Sequence, residues 1–191
     1  MNNQNSNQRY NVVTISLHWL MFVLIVAGYA FIELRELFPK GSDPRETMKA
    51  IHFMLGLLVF ALVLPRIVFR FLGTTPAIKP EPPAWQHTTA KLAHLALYLF
   101  MIIMPLLGWL VLSAAGKPIP FFGLQLPALI EKNKELAKFL KEIHETIGEV
   151  GYYLIGLHVI AAFFHHYFQL DNTLTRMLPL MKPIADVSDD A

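Results

Sequence analysis

The sequence predicts an all-α integral membrane protein: a four-helix bundle with an additional short amphipathic helix in its third loop. Three observations lead there. First, 54% of the 191 residues are apolar and 16% are charged, against roughly 45–50% and about 25% in soluble proteins. Second, the excess is gathered into four runs, each long enough for the ~20-residue crossing of a bilayer. Third, four histidines lie inside or at the ends of those runs, where an ionisable side chain is costly without a partner. Four spans in so short a chain leave no room for a soluble domain, so 1–191 reads as a single membrane domain.

The first eleven residues, MNNQNSNQRYN, are polar and are expected to fray. The first helix is expected at about 13–37. Its apolar part is too long for a signal peptide, only Arg9 precedes it, and no small-residue cleavage site follows. It is therefore expected to be retained, which puts both termini on one side. A short turn-rich loop, PKGSDPRET, leads to the second helix at about 48–71. The proline-rich stretch GTTPAIKPEPPAWQ is expected to be extended. The third helix follows at about 88–114 and the fourth at about 146–169. Between them, Leu129, Ile130, Leu136, Phe139, Leu140 and Ile143 recur at helical spacing among lysines and glutamates. They predict the amphipathic helix, at about 128–143, either lying on the membrane surface or solvated. The tail after Pro183 is acidic and is expected to be disordered.

Charge counts do not orient the bundle. The side of the termini holds Arg9, Arg66, Arg70, Lys79, Lys91, Arg176 and Lys182, and the opposite side holds the other nine cations. The positive-inside bias thus has no clear sign. A net charge of +2 gives no reason to expect nucleic acid as a partner.

The chemistry sits in the histidines. His144 and His158 are fourteen residues apart on one helix. That separation is ~21 Å along the axis and within ~40° of one face. Antiparallel neighbours then set the depths. His52 pairs with His144 on the far side, away from the termini; His18 pairs with His158 on the near side. Two same-depth pairs suit the trans axial ligands of two metal cofactors. The chain has no cysteine, which excludes iron–sulfur clusters and covalently attached haem. Two b haems are the expected cofactors, with His18, His52, His144 and His158 on their irons. His94, in the third helix, competes with His18 or contacts a propionate.

Arg66 and Arg70 share a face and either bond near-side propionates or anchor the helix at the interface. His165 and His166 end the fourth helix. They either snorkel to the water edge or serve a quinone, because a histidine titrates near neutrality and can bond a carbonyl or pass a proton. Gly56 and Gly148 each follow a paired histidine by four residues and would allow close approach of a flat ring, or simply of a neighbouring helix.

The segments ISLHWLMF, MKAIHFMLG, IHETIGEVGYYLIGLHVIAAFFHHYF and DNTLTRMLP resemble the bacterial cytochrome b-561 family of small di-haem membrane proteins. The resemblance runs from about Tyr10 to Pro179. It implies two b haems on His18, His52, His144 and His158, an inner-membrane location, and both termini in the cytoplasm. It also implies oxidation of superoxide at the periplasmic haem and reduction of ubiquinone through the other. Arg35, Arg45, Lys49 and the loop lysines are the cations available to attract the anion. Two rivals stand beside this expectation. One is a cytochrome b subunit passing electrons between a partner dehydrogenase and quinone. The other is a haem-free bundle relaying protons or binding a transported metal.

Overall fold

The computed structural model describes residues 9–179 and contains four long helices and a small hairpin. Helix α1 spans Val12–Leu34 and is capped by Asn11, whose side chain accepts the Thr14 amide at 2.8 Å. That contact satisfies one of the unpaired amides of the first turn. A single 3₁₀ turn, Arg35–Leu37, follows it. Helix α2 spans Asp43–Leu72, with proline in its first turn and Pro65 inside. Helix α3 spans Ala84–Ala115, contains Pro105 and ends on Gly116 at φ +65°. This left-handed C-cap is a conformation glycine adopts without penalty. Each internal proline removes one helical hydrogen bond, which neighbouring helices make tolerable in a membrane bundle.

The helices pack in chain order, α1 on α2, α2 on α3 and α3 on α4. The circle closes through polar contacts: the Tyr29 hydroxyl donates to the Gly148 carbonyl at 2.7 Å, and Tyr152 donates to Glu33 at 2.9 Å. All four spans are long and apolar enough to cross a bilayer. Many of their large apolar side chains are exposed and few are fully buried, the pattern of a surface that faces lipid rather than water. A small core of Met21, Val59, Val63 and Met101 holds α1, α2 and α3 together.

The third loop departs from expectation. No separate helix lies at 128–143. Residues 128–133 are not helical, and α4 begins at Lys134 and runs unbroken to Tyr167. Asn133 caps it, accepting the Leu136 amide at 3.0 Å. Neither glycine nor proline occurs between Lys134 and Gly148, so nothing separates the amphipathic stretch from the apolar one. At 1.5 Å per residue the 34-residue helix is ~51 Å long, against ~30 Å of hydrocarbon. The amphipathic turns therefore continue the axis of α4 rather than lying across it. Strands β1 (Ile119–Phe121) and β2 (Leu124–Leu126) pair antiparallel around Phe122 and Gly123, both at positive φ. Ile119 packs against Leu57 and Leu112, and Trp109 donates to the Pro127 carbonyl at 2.9 Å. The hairpin thus covers the far end of α2 and α3.

The near end is closed by the segment after α4. Tyr10 donates to the Arg176 carbonyl at 3.3 Å, Trp19 to the Met177 carbonyl at 2.7 Å, and Asn172 to the Lys79 carbonyl at 3.1 Å. Arg176, itself buried, also donates to the Pro76 carbonyl. Both ends of the described chain lie on this side. The expectation for the acidic tail falls outside the described residues.

Candidate functional site

On the far side, α2 brings His52 and α4 brings His144 to ring centres 6.3 Å apart, with planes at 86°. The Nδ1 of His52 donates to the Gly28 carbonyl at 2.8 Å. This fixes the tautomer and leaves Nε2 free, the usual arrangement of a metal-binding imidazole. His144 lies against α3 at Gly108, where a Cβ would stand 3.5 Å from its Cε1. Its Nδ1 is buried and makes no well-formed hydrogen bond, with the Met104 carbonyl as the acceptor in reach. A cavity of about 350 Å³ surrounds the pair. Gly28 and Gly56 line it, and a Cβ on either would project into open space with no atom within 4 Å. These glycines widen a slot rather than seat a neighbouring helix.

On the near side, His18 from α1 and His158 from α4 have ring centres 6.2 Å apart, with planes at 68°. His94 from α3 reaches the same imidazole at 5.7 Å and 71°. Arg66 Nη2 donates to His18 Nδ1 at 3.0 Å, while its Nη1 is buried without a partner. Its guanidinium also lies 5.8 Å from the Tyr98 ring centre. Arg70 points elsewhere: it donates to Thr75 at 2.6 Å and sits over the Tyr10 ring.

The two levels are linked along α4. Gly151 is seven residues from His144 and seven from His158. The Phe100 ring and the Tyr29 hydroxyl close directly on it.

His165 and His166, adjacent in sequence, have different surroundings. His165 Nδ1 lies 2.5 Å from Asp171 Oδ2. The His166 Nδ1 is buried without a partner, and its ring meets Tyr167 edge-on at 4.8 Å. Burial tends to raise the Asp171 carboxyl, but hydrogen bonds from His165 and Thr173 outweigh it and hold the group below its ordinary value. Sequence reasoning missed Asp171. The one available signal was an acidic residue six positions beyond a helix-end histidine, and nothing in a sequence folds such a segment back.

Four of the nine cations expected to draw in an anion are engaged. Arg45 is buried, donating to the carbonyls of Arg35 and Phe38 and to Glu36 at 2.7 Å. Arg35 also pairs with Glu36, Lys49 with Glu46, and Lys141 with Glu145. The far-side cavity is lined by Glu33, Glu145 and Glu149 against one cation, Arg35. Among the described residues, no group of three or more His, Cys, Asp or Glu side chains could hold a bare metal ion. The histidines occur instead as a facing pair on the far side and, on the near side, a facing pair with His94 beside it.

The chain is similar to known proteins over most of its length. A family model described as prokaryotic cytochrome b561 matches residues 9–180. The chain is 40% identical to cytochrome b561 homolog 1 of Escherichia coli K12, over 91% of this chain and 99% of that protein. It is 36% identical to a probable superoxide oxidase CybB of Yersinia pestis, over 91% and 97%. It is 27% identical to cytochrome b561 homolog 2 of Escherichia coli K12, over 91% and 93%. Four apolar helices holding facing histidines, matched by that model and those relatives, place the chain in the prokaryotic cytochrome b561 family, electron-transfer proteins of the membrane that carry b-type haem.

Proposed function

We propose that this chain is a di-haem superoxide:ubiquinone oxidoreductase of the bacterial inner membrane, with both termini in the cytoplasm. Superoxide gives up an electron at the far, periplasmic side, and ubiquinone is reduced at the near side. The observation that carries the reading is the repeated histidine separation, 6.3 Å for His52 with His144 and 6.2 Å for His18 with His158. A metal–imidazole bond is about 2 Å and the ring centre lies about 1 Å behind the nitrogen, so ring centres about 6 Å apart leave room for one metal atom between them. A flat macrocycle fits the far pair on a further count: Gly28 and Gly56 open the slot.

A b haem at each pair supplies reversible one-electron transfer at iron. The residues do the rest. His52 and His144 would hold the far haem; His18 and His158 would hold the near one. The Gly28 carbonyl orients His52. At the near pair, Arg66 occupies His18 Nδ1. A carboxylate is a stronger partner for a guanidinium than a neutral imidazole. Arg66 would therefore pair with a haem propionate, which would satisfy its Nη1 and leave His18 Nδ1 to carry its own proton. His94 then contacts the haem's surroundings rather than its iron. His165 and His166, beyond His158 at the water edge, serve the quinone.

The name of the Yersinia pestis relative supports superoxide as the donor. The test is stopped-flow haem reduction by superoxide, with and without ubiquinone. Prompt reduction of a b-type spectrum, followed by quinone-dependent reoxidation, is expected; a purified protein without that spectrum overturns the haem assignment.

One observation favours a second reading. The far cavity is lined by three carboxylates and one arginine, which repel a small anion and suit a basic partner surface. A cytochrome subunit fed by a partner dehydrogenase would use such a mouth. Persistent co-purification with that partner, and no haem reduction by superoxide, would establish it.

A further inference from the structure

We infer that His165 and Asp171 form a proton-donating pair for the reduced quinone, with Asp171 as the positioning residue; this rests on the quinone reading above. His165 lies seven residues beyond His158, about 10 Å towards the near surface and within ~20° of the same face. Its side chain is partly exposed, whereas that of Asp171 is 2% exposed. A buried carboxylate is stable only when its oxygens are bonded. Those of Asp171 are: Oδ2 meets His165 Nδ1 at 2.5 Å, and Oδ1 accepts the Thr173 amide at 2.8 Å. Because a carboxylate only accepts, the shared proton sits on Nδ1, and Nε2 is the nitrogen left for chemistry.

The chain fixes this pair deliberately. The Asp171 amide donates to the His165 carbonyl at 3.1 Å, curling the segment after α4 back on its last turn. Asn172 then ties that segment to Lys79 and Ala77, and Arg176 ties it to Pro76. Fixing a histidine's tautomer and stabilising its charged form is the work a carboxylate does beside a general acid.

The reaction balances. Two superoxide anions lose two electrons and become two dioxygen molecules; ubiquinone takes two electrons and two protons and becomes ubiquinol. Each proton passes from near-side water to His165 Nε2, where Asp171 stabilises the imidazolium, and then to a quinone oxygen. Refilling from water supplies the second.

The test compares two acceptors for the dithionite-reduced full-length protein in nanodiscs: ubiquinone-1, which needs protons, and ferricyanide, which does not. Asp171→Asn and His165→Gln are each expected to lower the ratio of quinone rate to ferricyanide rate at least tenfold. The loss should appear in kcat rather than in KM for the quinone, and the double variant should fall no further. A readout independent of turnover is the imidazole proton resonance of His165 Nδ1. It is expected at low field in the wild type and shifted upfield in Asp171→Asn. If the wild type reduces ubiquinone-1 and both variants keep its ratio, the pair is overturned while the quinone reading stands. If the wild type reduces ferricyanide but never ubiquinone-1, both fall. Should Asp171→Asn fail to fold with its haem, His165→Gln decides alone.

Discussion

His52 and His144 face each other with ring centres 6.3 Å apart, and His18 and His158 repeat that separation to within 0.1 Å, at 6.2 Å. The two pairs come from different helices, yet both use α4. A single helix therefore sets the spacing of the two histidine pairs. Replacing His52 or His144 with alanine is expected to remove the far-side haem alone, so that haem per chain falls by half. Replacing His18 should remove the near-side haem, and replacing His94 should leave both. Pyridine haemochrome assay on the purified variants reads each outcome.

The glycines should divide into two classes. A Cβ at Gly28 meets nothing within 4 Å, whereas one at Gly151 runs into the Phe100 ring at 2.5 Å and into the Tyr29 hydroxyl. Gly28→Ala is thus expected to leave stability unchanged, while Gly28→Phe fills the slot and excludes the far-side haem without unfolding the bundle. Gly151→Ala overpacks the junction between the two levels, at a cost of about 1–3 kcal/mol. Thermal melts set beside haem content separate a lost slot from a lost fold.

Among the described residues, Arg66 is the one cation bonded to a paired histidine, His18. A nearby positive charge favours the reduced, less positive haem. Arg66→Met is therefore expected to lower the near-side midpoint potential by tens of millivolts, where about 59 mV is tenfold in a one-electron equilibrium. The far-side potential should barely move. Redox titration of the two b-type components measures both.

Much of this arrangement was legible from periodicity. Helical spacing and antiparallel order alone put His52 level with His144 and His18 level with His158, because membrane helices leave few choices of depth. The continuous α4 was less legible. The change from amphipathic to apolar at Ile143 looks like a boundary, but backbone hydrogen bonding ignores side-chain polarity when no helix breaker intervenes. The hairpin was missed although Gly123 sits between two short apolar stretches, since three-residue strands carry almost no periodic signal. Asp171 was illegible for a different reason: its burial depends on the carbonyls of Lys79, Ala77 and Pro76, about a hundred residues away.

Asp171 makes the near-side closure sensitive to acid. Its carboxyl lies below the ordinary value in the folded protein. A depressed carboxylate contributes stability above its unfolded value, near 4, and that contribution is lost as pH falls through the folded value. Protection of the amides in residues 170–178, corrected for the slower intrinsic exchange in acid, is expected to fall selectively as the pH is lowered below about 4, ahead of that in the helices. Asp171→Asn should already exchange faster at neutral pH and show little further acid response. Mass-spectrometric hydrogen exchange across pH 3–7 tests this.

The charge lining the far-side cavity bears differently on an anionic donor and on a basic one. Glu33, Glu145 and Glu149 line it together with Arg35, and Tyr152 holds Glu33 at 2.9 Å. Association of oppositely charged partners is accelerated and that of like charges slowed, and salt weakens both effects. If superoxide is the physiological donor, replacing Glu145 and Glu149 with glutamine removes repulsion. Haem reduction by superoxide should then speed up several-fold at low ionic strength, and the gain should vanish in high salt. If a basic partner protein is the donor, the same double variant should slow reduction by that partner and lower its salt dependence. Stopped-flow rates with superoxide at two ionic strengths separate the cases. A double variant that superoxide reduces no faster than wild type at low salt would show that the anion reaches the far haem by a path away from these carboxylates, over the hairpin that covers the ends of α2 and α3.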